Sequence, residues 1–145
     1  GVLSAALSLP LHRREEKEAF KAAHEALRRV GLDHQAQEPA ENLPMGERHL
    51  LEIARALASE PKLLLLDEPA AGLNDEETER LADTVRKIRD EGVTVLLVEH
   101  DMTFVMEISD EVVVLDYGRK IAEGPPLMIQ DNEEVIKAYL GEELG

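Results

Sequence analysis

Lys62–Asn74, KLLLLDEPAAGLN, is the stretch on which the reading of the fold turns. Four leucines run directly into an Asp-Glu pair, bounded by Pro61 and Pro69. A continuous apolar run of this length predicts a strand buried on both faces of a parallel sheet. Asp67 and Glu68 then fall at its C-terminal edge, where open α/β sheets bind ligands. Paired carboxylates at that edge suit phosphoryl transfer, one holding Mg²⁺ and the other handling the attacking water. A core strand that happens to end in two solvated acids has the same letters, so the surrounding sequence must separate the two readings.

Downstream, Asn74 reads as a helix N-cap with Glu77 at the reciprocal position of a capping box. The helix it opens points Leu81, Val85 and Ile88 inward and stops at Gly92. Val93–Val98 is a second, β-branched apolar run. Strand, helix, strand with a crossover of about 25 residues is a βαβ unit, hence a parallel pair. Glu99, His100 and Asp101 end this second strand on the same edge as Asp67 and Glu68. Beyond it the pattern predicts a short helix over Met102–Ile108 and strands at Glu111–Leu115 and Lys120–Ala122, joined by the Tyr117-Gly118 turn. Gly124-Pro125-Pro126 breaks the chain, and an amphipathic helix over Glu133–Leu140 follows, capped by Asn132.

Upstream, apolar Ala19, Phe20, Ala23, Leu27 and Val30 recur at helical spacing, which predicts a helix over Arg13–Val30 with Gly31 as its C-terminal cap. Gly1–Pro10 reads as a short apolar end of something larger, and Leu32–Asn42 as a polar linker. Glu47–Ser59 predicts a helix with Leu50, Leu51, Ile53, Ala54, Leu57 and Ala58 on a broad apolar face, ended by Pro61. Gly46 leads that helix, and a glycine-led helix N-terminus offers free amides and a favourable dipole to an anion.

The 145 residues carry a net charge of -15, with 32% charged, 43% hydrophobic and 3% aromatic residues and no cysteine. That composition predicts a soluble α/β domain whose interior is filled by Leu, Val, Ile and Ala. The negative charge argues against nucleic acid and against unaided adhesion to an anionic membrane. The lack of cysteine removes disulfides, thiolate metal sites and cysteine nucleophiles, and fits a reducing compartment. No apolar run reaches the roughly 20 residues needed to span a bilayer, so no direct membrane insertion is expected.

Taken together, the chain resembles the C-terminal half of the ATPase of an ATP-binding cassette (ABC) transporter. Leu43-Pro44-Met45-Gly46-Glu47 lies where that family has its LSGGQ signature, and Leu51–Leu57 (LEIARAL) resembles the signature helix. Leu63–Glu68 looks like Walker B with the catalytic glutamate. Ala71-Gly72-Leu73-Asn74 looks like the D-loop, Glu99-His100-Asp101 like the switch-histidine loop, and Tyr117–Gly124 like the hairpin that often follows. DEPAAGLN, VLLVEHDM and VIKAYLGEEL are similar to the branched-chain amino acid importer ATPases. An ATPase of lipopolysaccharide export shares the tail wording but differs in the D-loop.

The resemblance implies a fold class and roles. The fold would be the C-terminal part of a P-loop NTPase (RecA-like) nucleotide-binding domain, a parallel sheet plus a C-terminal β-hairpin and helices. Residues 1–60 would be part of the signature-containing helical subdomain and 61–145 part of the core. Asp67 would help hold Mg²⁺, largely through water; Glu68 would act as general base; His100 would contact the γ-phosphate of ATP. Leu43, Pro44, Met45, Gly46 and Glu47 would face nucleotide held by a second nucleotide-binding domain. Ala71, Gly72, Leu73 and Asn74 would cross that dimer interface. The helical subdomain would dock on membrane-spanning permease subunits, placing the protein peripherally on the cytoplasmic face of the membrane.

The chain departs from the family pattern in two ways. No G-x-x-x-x-G-K-[ST] phosphate loop occurs in the sequence, so a fragment beginning inside the helical subdomain, inactive by itself, is expected. Pro44, Met45 and Glu47 also replace the usual signature residues. A carboxylate at 47 is unfavourable near a triphosphate unless it points away or pairs with Arg48. An incomplete sheet leaves edges that invite pairing, so self-association is a further expectation. The alternative function is a non-catalytic interaction module that binds a partner ATPase domain or transporter subunit. A non-transport ABC ATPase is disfavoured by the negative charge.

Overall fold

The computed structural model describes the backbone of residues 2–140 and the side chains of residues 13–139. Gly1 and residues 141–145, including the end of the tail that resembles the importer ATPases, lie outside the described residues. Elements follow in the order α1 (Val2–Arg29), α2 (Met45–Leu57), β1 (Leu63–Asp67), α3 (Asp75–Asp90), β2 (Thr94–Val98), α4 (Met102–Ile108), β3 (Val112–Asp116), β4 (Arg119–Gly124), α5 (Pro126–Gln130) and α6 (Glu133–Val135). The last continues as a π-helical turn over Ile136–Leu140. Short 3₁₀ turns at Asp33–Gln35 and Ala40–Asn42 interrupt the expected linker.

β1 and β2 pair in parallel in the register Leu63↔Thr94 to Asp67↔Val98. The βαβ expectation holds, and α3 is the crossover. Its start is fixed by a complete capping box: Asn74 Oδ1 accepts from the Glu77 amide at 2.9 Å, and Glu77 Oε2 accepts from the Asn74 amide at 3.1 Å. Its end is Gly92, whose φ of 95° suits a residue without Cβ. Asn74→Ala removes the cap and is expected to cost about 0.5–2 kcal/mol, read as a lower urea midpoint at unchanged slope.

Helices cover one face of the β1–β2 pair. Leu64 is buried, and Leu66, Val95 and Leu97 pack against a cluster of Leu50, Ile53, Leu57, Leu81, Val85, Ile88, Phe104 and Ile108. The other face is open: Leu63, Leu65, Leu96 and Val98 are 51–65% exposed. The expectation of a strand buried on both faces is therefore corrected. A run of leucines carries no period, so it does not distinguish a strand covered twice from one covered once.

Two expectations for α1 are also corrected. It begins at Val2 rather than Arg13, and Ala19, Phe20 and Ala23 are exposed rather than inward. Among the described side chains, Ala26 and Leu27 of its last turn, with Val30 just beyond, join the core with α2. Gly31 then closes the helix at φ 77°, with the Leu32 amide donating to Leu27 O at 2.9 Å and Leu32 itself buried. Arg29 and Glu91, 2.5 Å apart, tie this end of α1 to the end of α3.

The C-terminal hairpin forms its own antiparallel sheet, β3 with β4, turned by Tyr117 and Gly118 at φ 45° and 75°. Two consecutive positive φ values match the twist of a tight hairpin. Val112, Val114, Ile129 and Val135 form a second small core beneath it, and the Tyr139 hydroxyl donates to Leu115 O. The prolines expected only to break the chain instead open α5, since a proline fits the first helical turn. Among the described residues no helix is long and apolar enough to cross a membrane.

Candidate functional site

Parallel pairing of β1 with β2 brings Glu68 and His100 together at one sheet edge, because each follows a paired strand end. His100 Nδ1 lies 3.7 Å from Glu68 Oε1, with side chains 74% and 55% exposed. The Glu68 amide donates to Val98 O at 2.8 Å, extending the ladder one residue past β1. Glu68 has φ 45°, a region that L side chains rarely adopt and that costs on the order of 1–3 kcal/mol. Its peptide is held on both sides: the Ala71 amide donates to Glu68 O at 3.1 Å, closing a turn.

In the sequence Glu99 reads only as part of the histidine loop, and the structure gives it a distinct place. Its side chain is 2% exposed. Oε1 accepts from the Ala70 amide at 2.8 Å and Oε2 from the His100 amide at 3.3 Å. A buried carboxylate with two amide donors is satisfied as an anion. The sequence held a signal for this: Val95, Leu97 and Glu99 share the covered face by strand alternation, and an acid in that register needs partners. Asp101, beside it, caps α4 by accepting from the Phe104 amide at 3.1 Å.

The signature-like segment lies beside the same edge. A cleft of about 810 Å³ between α2 and the end of β1 is lined by Met45, His49, Ile53, Leu65, Asp67, Glu68 and Gly72, among others. Leu43 is buried, Pro44 is the N-cap of α2, and Met45 is 55% exposed. Gly46 is buried, and its amide donates to Glu77 Oε1 at 3.3 Å. Glu47 does not pair with Arg48: Gln35 Nε2 donates to Glu47 Oε2 at 2.5 Å. Arg48 instead donates to Leu43 O at 2.8 Å and Glu41 O at 2.5 Å, anchoring the segment that enters α2. Ala71 and Gly72 are exposed, with Gly72 at φ 74°. Leu73 is half-buried and Asn74 caps α3.

Hard oxygen donors suit Mg²⁺, and Asp67 and Glu68 are exposed carboxylates on this edge. Among the described residues no group of three or more His, Asp or Glu could cage a metal. A magnesium ion here would thus keep waters and phosphate oxygens as most of its ligands, as Mg²⁺ commonly does. The donors present fit the metal and γ-phosphate end of a nucleotide. They do not fit the rest, since the sequence holds no phosphate loop.

The ABC transporter family model matches residues 3–71, and the model of the branched-chain amino acid ATP-binding cassette transporter matches residues 119–144. Over nearly its whole length the chain is similar to ABC transporter ATPases. It is 48% identical over 141 residues to the high-affinity branched-chain amino acid transport ATP-binding protein BraF of Pseudomonas aeruginosa, covering 97% of this chain and 55% of BraF. It is 45% identical over 143 residues to the corresponding LivG of Escherichia coli, covering 98% of this chain and 56% of LivG. Among solved structures, the ADP form of MJ1267, an ATP-binding cassette of an ABC transporter, superposes with a TM-score of 0.79 at 30% identity. That match takes in 86% of this chain and 50% of MJ1267. The chain therefore spans about half the length of the curated relatives it matches.

Proposed function

We propose that this chain supplies the signature, Walker B, D-loop and switch-histidine part of an ATP-hydrolysing subunit that powers branched-chain amino acid import. The observation that carries it is Glu68 and His100 facing each other across 3.7 Å at the sheet edge beside Asp67. In this reading Asp67 orients the Mg²⁺ that accompanies ATP. Glu68 accepts a proton from the attacking water, and His100 donates to the γ-phosphate as charge develops. Leu43 to Glu47, at the start of α2, face nucleotide bound by a second nucleotide-binding domain, and Ala71 to Asn74 cross between the two. Residues 1–60 belong to the helical subdomain that meets the permease subunits on the cytoplasmic face, and 61–145 to the ATPase core.

ATP contributes the phosphoryl group and Mg²⁺ its charge neutralisation. The adenine and the α- and β-phosphates need groups outside this sequence. A titration with ATP, with and without Mg²⁺, tests this: the 145-residue chain is expected to bind weakly or not at all and to show no turnover. Turnover by this chain alone, abolished by Glu68→Gln, overturns that expectation. The open apolar face of β1–β2 favours a second reading, a non-catalytic module that binds a partner ATPase domain or transporter subunit. Leucine uptake by vesicles carrying the subunit and its permease, lost in Glu68→Gln, supports the first reading over the second.

A further inference from the structure

The first turns of α2 are joined to the loop between β1 and α3 and to the first turn of α3. His49 Nδ1 lies 2.7 Å from the carbonyl of Pro69, the residue after Glu68. An oxygen acceptor requires that this nitrogen carry the proton. At the far end of the loop, Glu77 uses both carboxylate oxygens: Oε1 accepts from the Gly46 amide at 3.3 Å and Oε2 from the Asn74 amide at 3.1 Å. Between them, a Cβ on Gly72 would stand 3.1 Å from Met45 Sδ. Gly46 is tighter still, for a Cβ there would lie 2.8 Å from Glu77 Oε1. Glycine at 46 thus lets the helix start approach the carboxylate. The loop is also fixed to β2, through Ala70 and Glu99 at 2.8 Å.

We infer that His49 and Glu77 are positioning residues that clasp the N-terminal turn of α2 to the 69–74 loop and the first turn of α3, so that α2 and Glu68 move as one body. The Glu68 backbone, held at φ 45°, needs outside restraint to persist, and the His49 bond to the next peptide supplies part of it. The two amides bond different oxygens of Glu77, so a glutamine in the same place, with one oxygen and one donor nitrogen, can serve only one of them. The consequence, which rests on the proposed function, is that displacement at the start of α2 is transmitted to the general base of the same chain.

Nitrogen-detected NMR and amide exchange on the nucleotide-free 145-residue chain test the clasp. His49 is expected to carry its proton on Nδ1. In Glu77→Gln, exchange of the Gly46 or the Asn74 amide is expected to quicken about three- to tenfold. The Glu68 and Ala71 amide signals should shift as well, although neither residue is bonded to Glu77. His49→Leu should shift the same signals, and His49→Gln, whose amide can donate to Pro69 O, should restore them. An His49 ring with Nδ1 unprotonated overturns the inference. So does unchanged exchange at both Gly46 and Asn74 in a Glu77→Gln chain whose Leu81 and Ile88 amides stay protected. If His49→Leu unfolds the chain, the ring tautomer of the unaltered chain and the Glu77→Gln exchange decide. None of these readouts involves nucleotide, so the clasp can fail while the ATPase reading stands. In the assembled ATPase, His49→Leu should lower kcat at unchanged KM and His49→Gln should recover it. A clasp that passes while the assembled subunit shows no ATP turnover defeats the ATPase reading alone.

Discussion

Glu68→Gln, in an ATPase that carries this segment with its phosphate loop, is expected to lower kcat by about 10²–10⁴-fold while nucleotide affinity changes little. The substitution keeps the size and shape of the side chain and removes its ability to accept a proton. Glu68 owes its position to backbone bonds, the amide to Val98 O at 2.8 Å and the carbonyl to the Ala71 amide at 3.1 Å. A glutamine therefore occupies the same place. Its neighbour His100 keeps its donor, so the γ-phosphate contact proposed for it is expected to survive. Steady-state hydrolysis together with equilibrium ATP binding checks the split. Full turnover in the glutamine variant removes Glu68 as the base. Loss of binding in parallel with turnover assigns it to holding the metal instead, a role the reading gives to Asp67.

The second large effect concerns stability and separates the two faces of the sheet. Ile88, 0% exposed at the centre of the main core, is expected to cost about 2–5 kcal/mol when truncated to alanine. Out of a total stability of about 5–15 kcal/mol, that is enough to unfold part of the population. Leu96, on the open face at 58% exposure, is expected to tolerate threonine within about 0.5 kcal/mol, since threonine suits a strand and little burial is lost. Urea unfolding at several protein concentrations measures both. A costly Leu96→Thr with a concentration-dependent midpoint would instead mean that a second copy covers this face. Equal costs at the two sites without concentration dependence would contradict the one-sided core.

Much of the site was legible before any coordinates, for local reasons. The Asn74–Glu77 capping box, the extent of α4 from Met102 to Ile108 and the hairpin at Tyr117-Gly118 each depend on contacts within a few residues. The parallel pair followed from the length of the crossover. Other features depend on partners that spacing does not name. Phe20 has helical periodicity, yet it is 77% exposed because the described part of the chain presents nothing to its turn of α1. For Glu47 the sequence leaves open whether it points away or pairs with Arg48; Gln35 reaches it from the linker while Arg48 turns to the carbonyls of Leu43 and Glu41. Neighbours in sequence do not face each other on a helix.

By itself, the sequence determined the order of the elements apart from α5, the placement of Glu68 and His100 at one strand edge, and the family resemblance of the motifs. Hydrophobic runs, caps and motif spacing are carried by the chain's own letters. Only the tertiary structure decided which face of β1 is covered, that Glu99 is a buried carboxylate holding the loop after Glu68, and that His49 and Glu77 reach across to that loop from α2 and α3. Those outcomes rest on contacts between residues about 20 to 30 positions apart. Such contacts form only once α2, β1, β2 and α3 have packed around one core.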